Sequence, residues 1–183
     1  MGKREDKRRR NTAALVGAAR ELFLARGYHG VGIELIAERA GLTTGAIYSL
    51  FGAKRELLFA VLDEVGRRIE VPPGPDVTDT VLAHVRAYRS LVTSDEGPGL
   101  LRLEVEALGL VLEDPSARAR VALPALTPLL TGRSHRGRDL TEQEAHAIAV
   151  PLSALLRGLA QQEALLPGTV PDEVWERSAL ALL

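Results

Sequence analysis

The sequence predicts an all-α protein, and three observations carry that prediction. Residues 27–58 read as two short amphipathic helices about a glycine turn, with a third helix beginning soon after. From Asp76 onward, apolar residues recur at helical spacings in segment after segment. No segment has the period of a strand, and no internal repeat is evident. The predicted architecture is all-α: a three-helix unit containing a helix-turn-helix over 1–53, followed by a larger helical part over 54–183.

The first helix is predicted to start near Asn11-Thr12, to bury Leu15, Ala19, Leu22 and Phe23, and to end at Gly27. The second carries Ile33, Ile36, Ala37 and Ala40 on one face. Gly41 can take the left-handed conformation that ends a helix without a Cβ penalty. Thr43 or Thr44 can then cap a third helix with Ile47, Leu50 and Phe51 inward. Such a pair, joined by a short turn containing Gly, is how helix-turn-helix proteins enter the major groove.

A fourth helix is predicted from Lys54, with Leu57, Leu58, Val61, Leu62 and Val65 inward, stopped by Val71-Pro72-Pro73-Gly74-Pro75. Asp76 to about Thr93 and Pro98 to Glu113 follow, the latter apolar almost all round and therefore expected to be central. Asp114-Pro115-Ser116 opens another helix, interrupted by Pro124 and Pro128, and residues 132–140 are expected to form a loop. Thr141 with Glu144 makes a capping box for a long helix, kinked at Pro151, with the stripe Ile148, Leu152, Leu155, Leu156 and Leu159. Thr169-Val170-Pro171-Asp172 starts the last helix, carrying Trp175, Ala179, Leu182 and Leu183.

The first third of the chain resembles the DNA-binding domain of the tetracycline-repressor (TetR) family of bacterial transcription regulators. The resemblance rests on an ordered set: Leu22-Phe23, Gly27-Tyr28, Ile36-Ala37, Ala40-Gly41, Gly45-Ala46-Ile47-Tyr48, Phe51, and Lys54-Arg55-Glu56-Leu57. It implies phosphate contacts by Tyr48 and Lys54, and a dimer built by the last two helices. Val31-Gly32, Ser49-Leu50 and Ala53 depart from the family pattern and remove several phosphate contacts.

Charge agrees with a nucleic-acid partner. Residues 1–56 hold 11 Lys and Arg against 6 Asp and Glu, while residues 57–183 hold 12 against 18. Lys3, Arg4, Lys7, Arg8, Arg9 and Arg10 form a basic arm before the predicted first helix. Arg9 and Arg10 are therefore candidate phosphate contacts. In the reading helix, Thr43, Thr44, Ala46 and Ser49 offer short hydroxyl and methyl groups to base edges, and Gly45 permits close backbone approach. For the threonines, the alternative is capping alone.

Further along, His84, Tyr88 and Glu104 are polar residues on otherwise apolar faces, where a buried group needs a partner. They are candidate contacts for a small lipophilic effector; the alternative is a satisfied core or interface role. Leu152, Leu155, Leu156 and Leu159, with Trp175 and Leu182, are the candidate dimer surface.

The expected function is sequence-specific regulation of transcription: a homodimer on a near-palindromic double-stranded operator, released by a small-molecule effector. A regulator or interaction module without an effector is the alternative. An enzyme is not expected. Cys is absent, and the four His, at 29, 84, 135 and 146, lack metal-ligand spacing. No metal or cofactor is expected. With no apolar run near the roughly 18 residues of a membrane span and no signal-peptide core, a cytoplasmic protein without a membrane partner is expected.

Overall fold

A computed structural model of the chain describes residues 2–69, 74–114, 117 and 126–183. Among the described residues the chain forms nine helices and one two-stranded hairpin. The helices are α1 (Lys3–Arg26), α2 (Ile33–Arg39), α3 (Thr44–Phe51), α4 (Lys54–Arg68), α5 (Val77–Val92), α6 (Gly97–Glu113), α7 (Leu126–Leu130), α8 (Glu142–Leu165) and α9 (Asp172–Leu180). The strands are β1 (Ser134–His135) and β2 (Arg138–Asp139). The proline break at 71–73 and the helix predicted to open at Pro115-Ser116 lie outside the described residues. The chain divides into two compact units, residues 1–65 with 102–121, and residues 66–101 with 122–183.

The first unit is built on Leu15, Ala19, Phe23, Ile36, Ile47, Leu57, Leu58, Val61 and Leu103, all sealed from solvent. Here α1 begins at Lys3, eight residues earlier than predicted. The basic run is therefore helical, not an arm that precedes the helix. Its residues give no apolar periodicity to read, yet Glu5 and Asp6 favour the positive end of a helix, and Arg9 pairs with Asp6 one turn away at 2.5 Å. A Schellman closure ends α2. Gly41 has φ +64°, its N–H donates to the Glu38 carbonyl at 3.0 Å, and the Leu42 N–H donates to Ala37 at 2.9 Å. Arg39 grips Glu21 through two contacts of 2.5 and 3.1 Å, tying α2 to α1 at the surface.

On α6 two apolar seams compete, and only one is packed within this unit. Leu103, Ala107 and Val111 are buried, whereas Val105, Leu108 and Leu112 are more than half exposed. The expected all-round burial of this helix is thus not what the chain itself provides. A helix that packs one face leaves its opposite face in solvent, whatever its composition.

In the second unit, Val77, Val81 and Val85 line the buried face of α5 at i, i+4 and i+8. Ala145, Ala149, Leu152, Leu156 and Ala160 line that of α8. Trp175 and Ala179 of α9 and Leu126 and Leu130 of α7 complete the same core. Asp76 caps α5 by accepting the Asp79 N–H at 2.9 Å. The Thr141–Glu144 capping box starts α8 as the sequence predicts. Residues expected to loop between α7 and α8 instead form the hairpin. Arg136 and Gly137 both have positive φ, 51° and 82°, which is the type I′ geometry that joins two strands tightly.

Candidate nucleic-acid interface

The third helix is eight residues long, and Ile47, with Leu50 and Phe51 packed beside it on the core, orients it. Ile47 is fully buried, which turns Thr43, Gly45, Tyr48 and Ser49 to solvent and leaves Thr44 and Ala46 half-buried. Tyr48 is 56% exposed, an unusual position for a large ring without a partner. Thr43 occupies the N-cap with φ −95° and ψ 156°, yet its side chain makes no capping bond. Its hydroxyl is therefore not consumed by the helix. Short polar groups, a phenol hydroxyl and an open glycine on one exposed face suit both phosphate and base-edge contacts.

Two departures from the family pattern have a local explanation. Val31 is 1% exposed, so it serves the core where a capping hydroxyl would face solvent. Gly32 is the N-cap of α2 and supplies no side-chain bond.

The start of α1 is basic. Arg9 and Arg10 are exposed on the first turns of α1 together with Lys3, Arg4, Lys7 and Arg8. Arg9 is engaged with Asp6, which leaves guanidinium donors beyond the single contact.

Lys54, half-buried at the first turn of α4, is engaged within the chain. Its Nζ donates to the Tyr28 carbonyl at 2.6 Å and lies 4.1 Å from the centre of the Tyr28 ring. Burial pushes its ammonium below the usual lysine range, and the nearby Glu106 carboxylate opposes that shift. Burial likewise raises the Tyr28 phenol, with Arg55 pulling the other way.

Sequence reading missed two residues of this neighbourhood. Arg102 and Glu106 look like an ordinary i,i+4 pair on α6, but both reach the end of α1. Arg102 Nη2 donates to the Leu24 carbonyl at 2.7 Å, and Glu106 Oε2 accepts the Tyr28 N–H at 2.7 Å. The available signal was Gly27, whose missing side chain makes room for them. A Cβ there would stand 2.9 Å from Glu106 Oε1.

The effector candidates divide between the units. His84 and Tyr88 are buried on α5 in the second unit, while Glu104 is half-buried on α6 in the first. His84 Nδ1 has no hydrogen-bond partner in the structure, and burial holds its imidazole below the ordinary histidine range. A cleft of about 240 Å³ in the second unit is lined by Val85, Arg86, Arg89, Asp172, Glu173, Trp175 and Glu176. Four of the lining residues are charged and paired with each other: Arg86 holds Glu176 through contacts of 2.7 and 3.1 Å, and Arg89 pairs with Asp172. None of the three candidates lines it.

Of the candidate dimer residues, Leu152, Leu156 and Trp175 are at most 1% exposed in the single chain, so a second copy has no access to them. Leu155 and Leu159 are half-buried, and Leu182 is exposed. Helical periodicity finds the buried stripe but does not say whether the same chain or another covers it. A different face of α8 stays open: Ala147, Val150, Ala154, Gly158 and Leu165. Among the described residues no group of three His, Cys, Asp or Glu is placed to hold a metal, and no helix is long and apolar enough to cross a membrane.

Comparison with known proteins places this geometry. Residues 15–61 match the family described as bacterial regulatory proteins, tetR family. The chain is 31% identical over 147 residues to the HTH-type transcriptional activator FasR of Mycolicibacterium smegmatis, covering 77% of this chain and 66% of that protein. It is 27% identical over 161 residues to the HTH-type transcriptional repressor AcnR of Corynebacterium jeikeium, covering 85% and 82%. A second regulator, SrpR of Pseudomonas putida, matches over 34% of this chain and 30% of its own length. The chain thus spans just under two thirds of the first of these relatives and less than a third of SrpR. Among solved structures, the multidrug binding protein EbrR complexed with imidazole superposes with a TM-score of 0.70 at 22% identity, covering all of this chain and 94% of that one. A TetR transcriptional regulator from Rhodococcus sp. RHA1 gives 0.68 at 24%, covering 97% and 94%. The motif, the helical fold and the relatives agree: residues 15–61 carry the DNA-binding domain of the tetR family of bacterial regulatory proteins, and the chain is similar to its members over most of its length.

Proposed function

We propose that the chain is a sequence-specific DNA-binding regulator of transcription that acts in the cytoplasm as a homodimer on a near-palindromic operator. The reading head is the helix-turn-helix within residues 1–53, and residues 54–183 form the regulatory and dimerisation part. The observation that carries this reading is α3 itself. Buried Ile47 fixes it, and Thr43, Gly45, Tyr48 and Ser49 face outward beside half-buried Thr44 and Ala46. Tyr48, Arg9 and Arg10 hold phosphates, and Thr43, Thr44, Ala46 and Ser49 meet base edges. Lys54 supports the head through Tyr28.

Two-fold pairing brings two α3 helices to successive major grooves, about 34–36 Å apart. The open face of α8 supports that pairing because Ala147, Val150, Ala154, Gly158 and Leu165 on it are apolar and exposed. We further propose repression relieved by a small lipophilic ligand that meets His84 and Tyr88 on α5 of the second unit. Two solved relatives of this fold are described as EbrR complexes with imidazole and proflavin, which makes these two compounds the first probes. The effector-free alternative is favoured by one observation, the two charged pairs that line the second unit's cleft.

Anisotropy titration of labelled operator decides between them. Ligand binding that favours one conformation releases DNA and raises the melting temperature together. If no compound in a chemically broad set does both, the effector-free reading holds.

A further inference from the structure

The peptide group of Tyr28 is held from both sides by residues far away in sequence. Its N–H donates to Glu106 Oε2 at 2.7 Å, and its carbonyl accepts from Lys54 Nζ at 2.6 Å. One turn earlier the Leu24 carbonyl, among the last of α1 and so without a helical partner, accepts from Arg102 at 2.7 Å. A cation at that end also complements the helix dipole. The approach depends on Gly27. Its φ of +75° ends the helix, and a Cβ there would stand 2.9 Å from Glu106 Oε1 and 3.4 Å from Arg102 Nε.

Lys54 is the first residue of α4, two positions after Gly52, where α3 ends. The clamp therefore joins α6, the end of α1 and the α3–α4 junction through one peptide group. Glu106 also supplies the negative charge that faces the half-buried Lys54 ammonium. Tyr28 packs its ring against Phe23 at 5.6 Å, which locks the clamped residue into the core of the first unit.

We propose that Glu106, assisted by Arg102, is a positioning residue for DNA recognition: it fixes the Tyr28 peptide and, through Lys54, the angle at which α3 leaves the core. This rests on the DNA-binding reading above. On the eight-residue α3, Ile47 is buried and Leu50 and Phe51 are half-buried against the core, and the clamp adds a restraint at the junction that follows them. Glu106 touches no DNA in this account and acts only through Tyr28 and Lys54.

The test uses the full chain, a duplex selected by the wild-type protein from random DNA, and the variants Glu106→Ala and Glu106→Gln. Glu106→Ala leaves the Tyr28 N–H without its acceptor and should weaken operator binding by roughly tenfold. The slope of affinity against salt should be unchanged, because no phosphate contact is lost. Glu106→Gln retains an acceptor oxygen and should recover most of that loss. In amide NMR spectra without DNA, the Tyr28 resonance should move in Glu106→Ala and stay near its wild-type position in Glu106→Gln. Wild-type protein that selects no DNA would refute the DNA-binding reading itself. Wild-type protein that binds, with Glu106→Ala binding equally well, would overturn the positioning role alone. Loss of cooperative melting in Glu106→Ala, or equal losses in both variants with a smaller salt slope, would also overturn it.

Discussion

The ammonium of Lys54 donates to the carbonyl of Tyr28 at 2.6 Å and sits 4.1 Å from the centre of the same residue's ring. One side chain thereby satisfies a carbonyl beyond the end of α1 and makes a cation–π contact with the core. Lys54→Ala should cost about 1–2 kcal/mol of stability, from the lost hydrogen bond and ring contact together. It should weaken binding to all DNA sequences alike without lowering the salt slope. Arg10→Ala, on the exposed start of α1, should lower that slope by about one counterion. Salt titrations of the two variants side by side check the difference.

The exposed face of α3 gives a second expectation. Thr44→Ala should change preference among operator variants by about 1–3 kcal/mol at one base pair of each half-site, with little effect on nonspecific binding. A competition assay over single-base operator variants reads this directly. A uniform loss at every position would place Thr44 on the backbone.

Assembly is tested by two substitutions on α8 that differ in burial. Leu156, 1% exposed, lies in the second unit's own core, so Leu156→Asp should lower stability by at least about 3 kcal/mol through lost packing and a buried charge. Ala154 is exposed on the open face, so Ala154→Arg should leave protomer melting nearly unchanged while producing monomers in sedimentation. Dimers that persist in Ala154→Arg would move the interface elsewhere.

Glu144 sets a pH dependence. The Thr141 backbone N–H, Arg138 and the Thr141 hydroxyl all stabilise its carboxylate and hold its pKa down at about 2. The folded value lies below the unfolded one, so the contribution is complete above the unfolded pKa, near 4.5, and is lost as pH falls from there through about 2. Glu144→Gln should therefore be less stable than wild type at pH 7, and the two melting temperatures should converge as pH approaches 2. The same logic gives His84 the opposite charge change and a higher window. Its pKa is depressed from 6.5 by burial, so its protonation destabilises the fold as pH drops below that value.

Much of this molecule was legible from local pattern. The i, i+3, i+4 spacing of Ile33, Ile36 and Ala37, the turn at Gly41 and the Thr141–Glu144 box are short-range features, and each appears in the structure where the sequence puts it. What pattern could not supply was pairing at a distance. Arg102 and Glu106 read as a surface couple because nothing local points 78 residues back to Leu24 and Tyr28. The early start of α1 escaped for a different reason: charged residues carry helix propensity but no apolar period. Leu156 and Val150 show the same limit on one helix, since periodicity groups residues into faces without naming what covers each face.

The central claim is that two copies of α3 read DNA together. Selection of bound sequences from random duplex DNA by the full chain, followed by sequencing, tests it most directly. The account predicts an enriched near-palindrome whose half-sites are centred about 10–10.5 base pairs, or a multiple of that, apart. Substitution at Thr43, Thr44 or Ser49 should alter the enriched bases symmetrically in both halves. No enrichment, or a single unrepeated site that those substitutions leave unchanged, would contradict it.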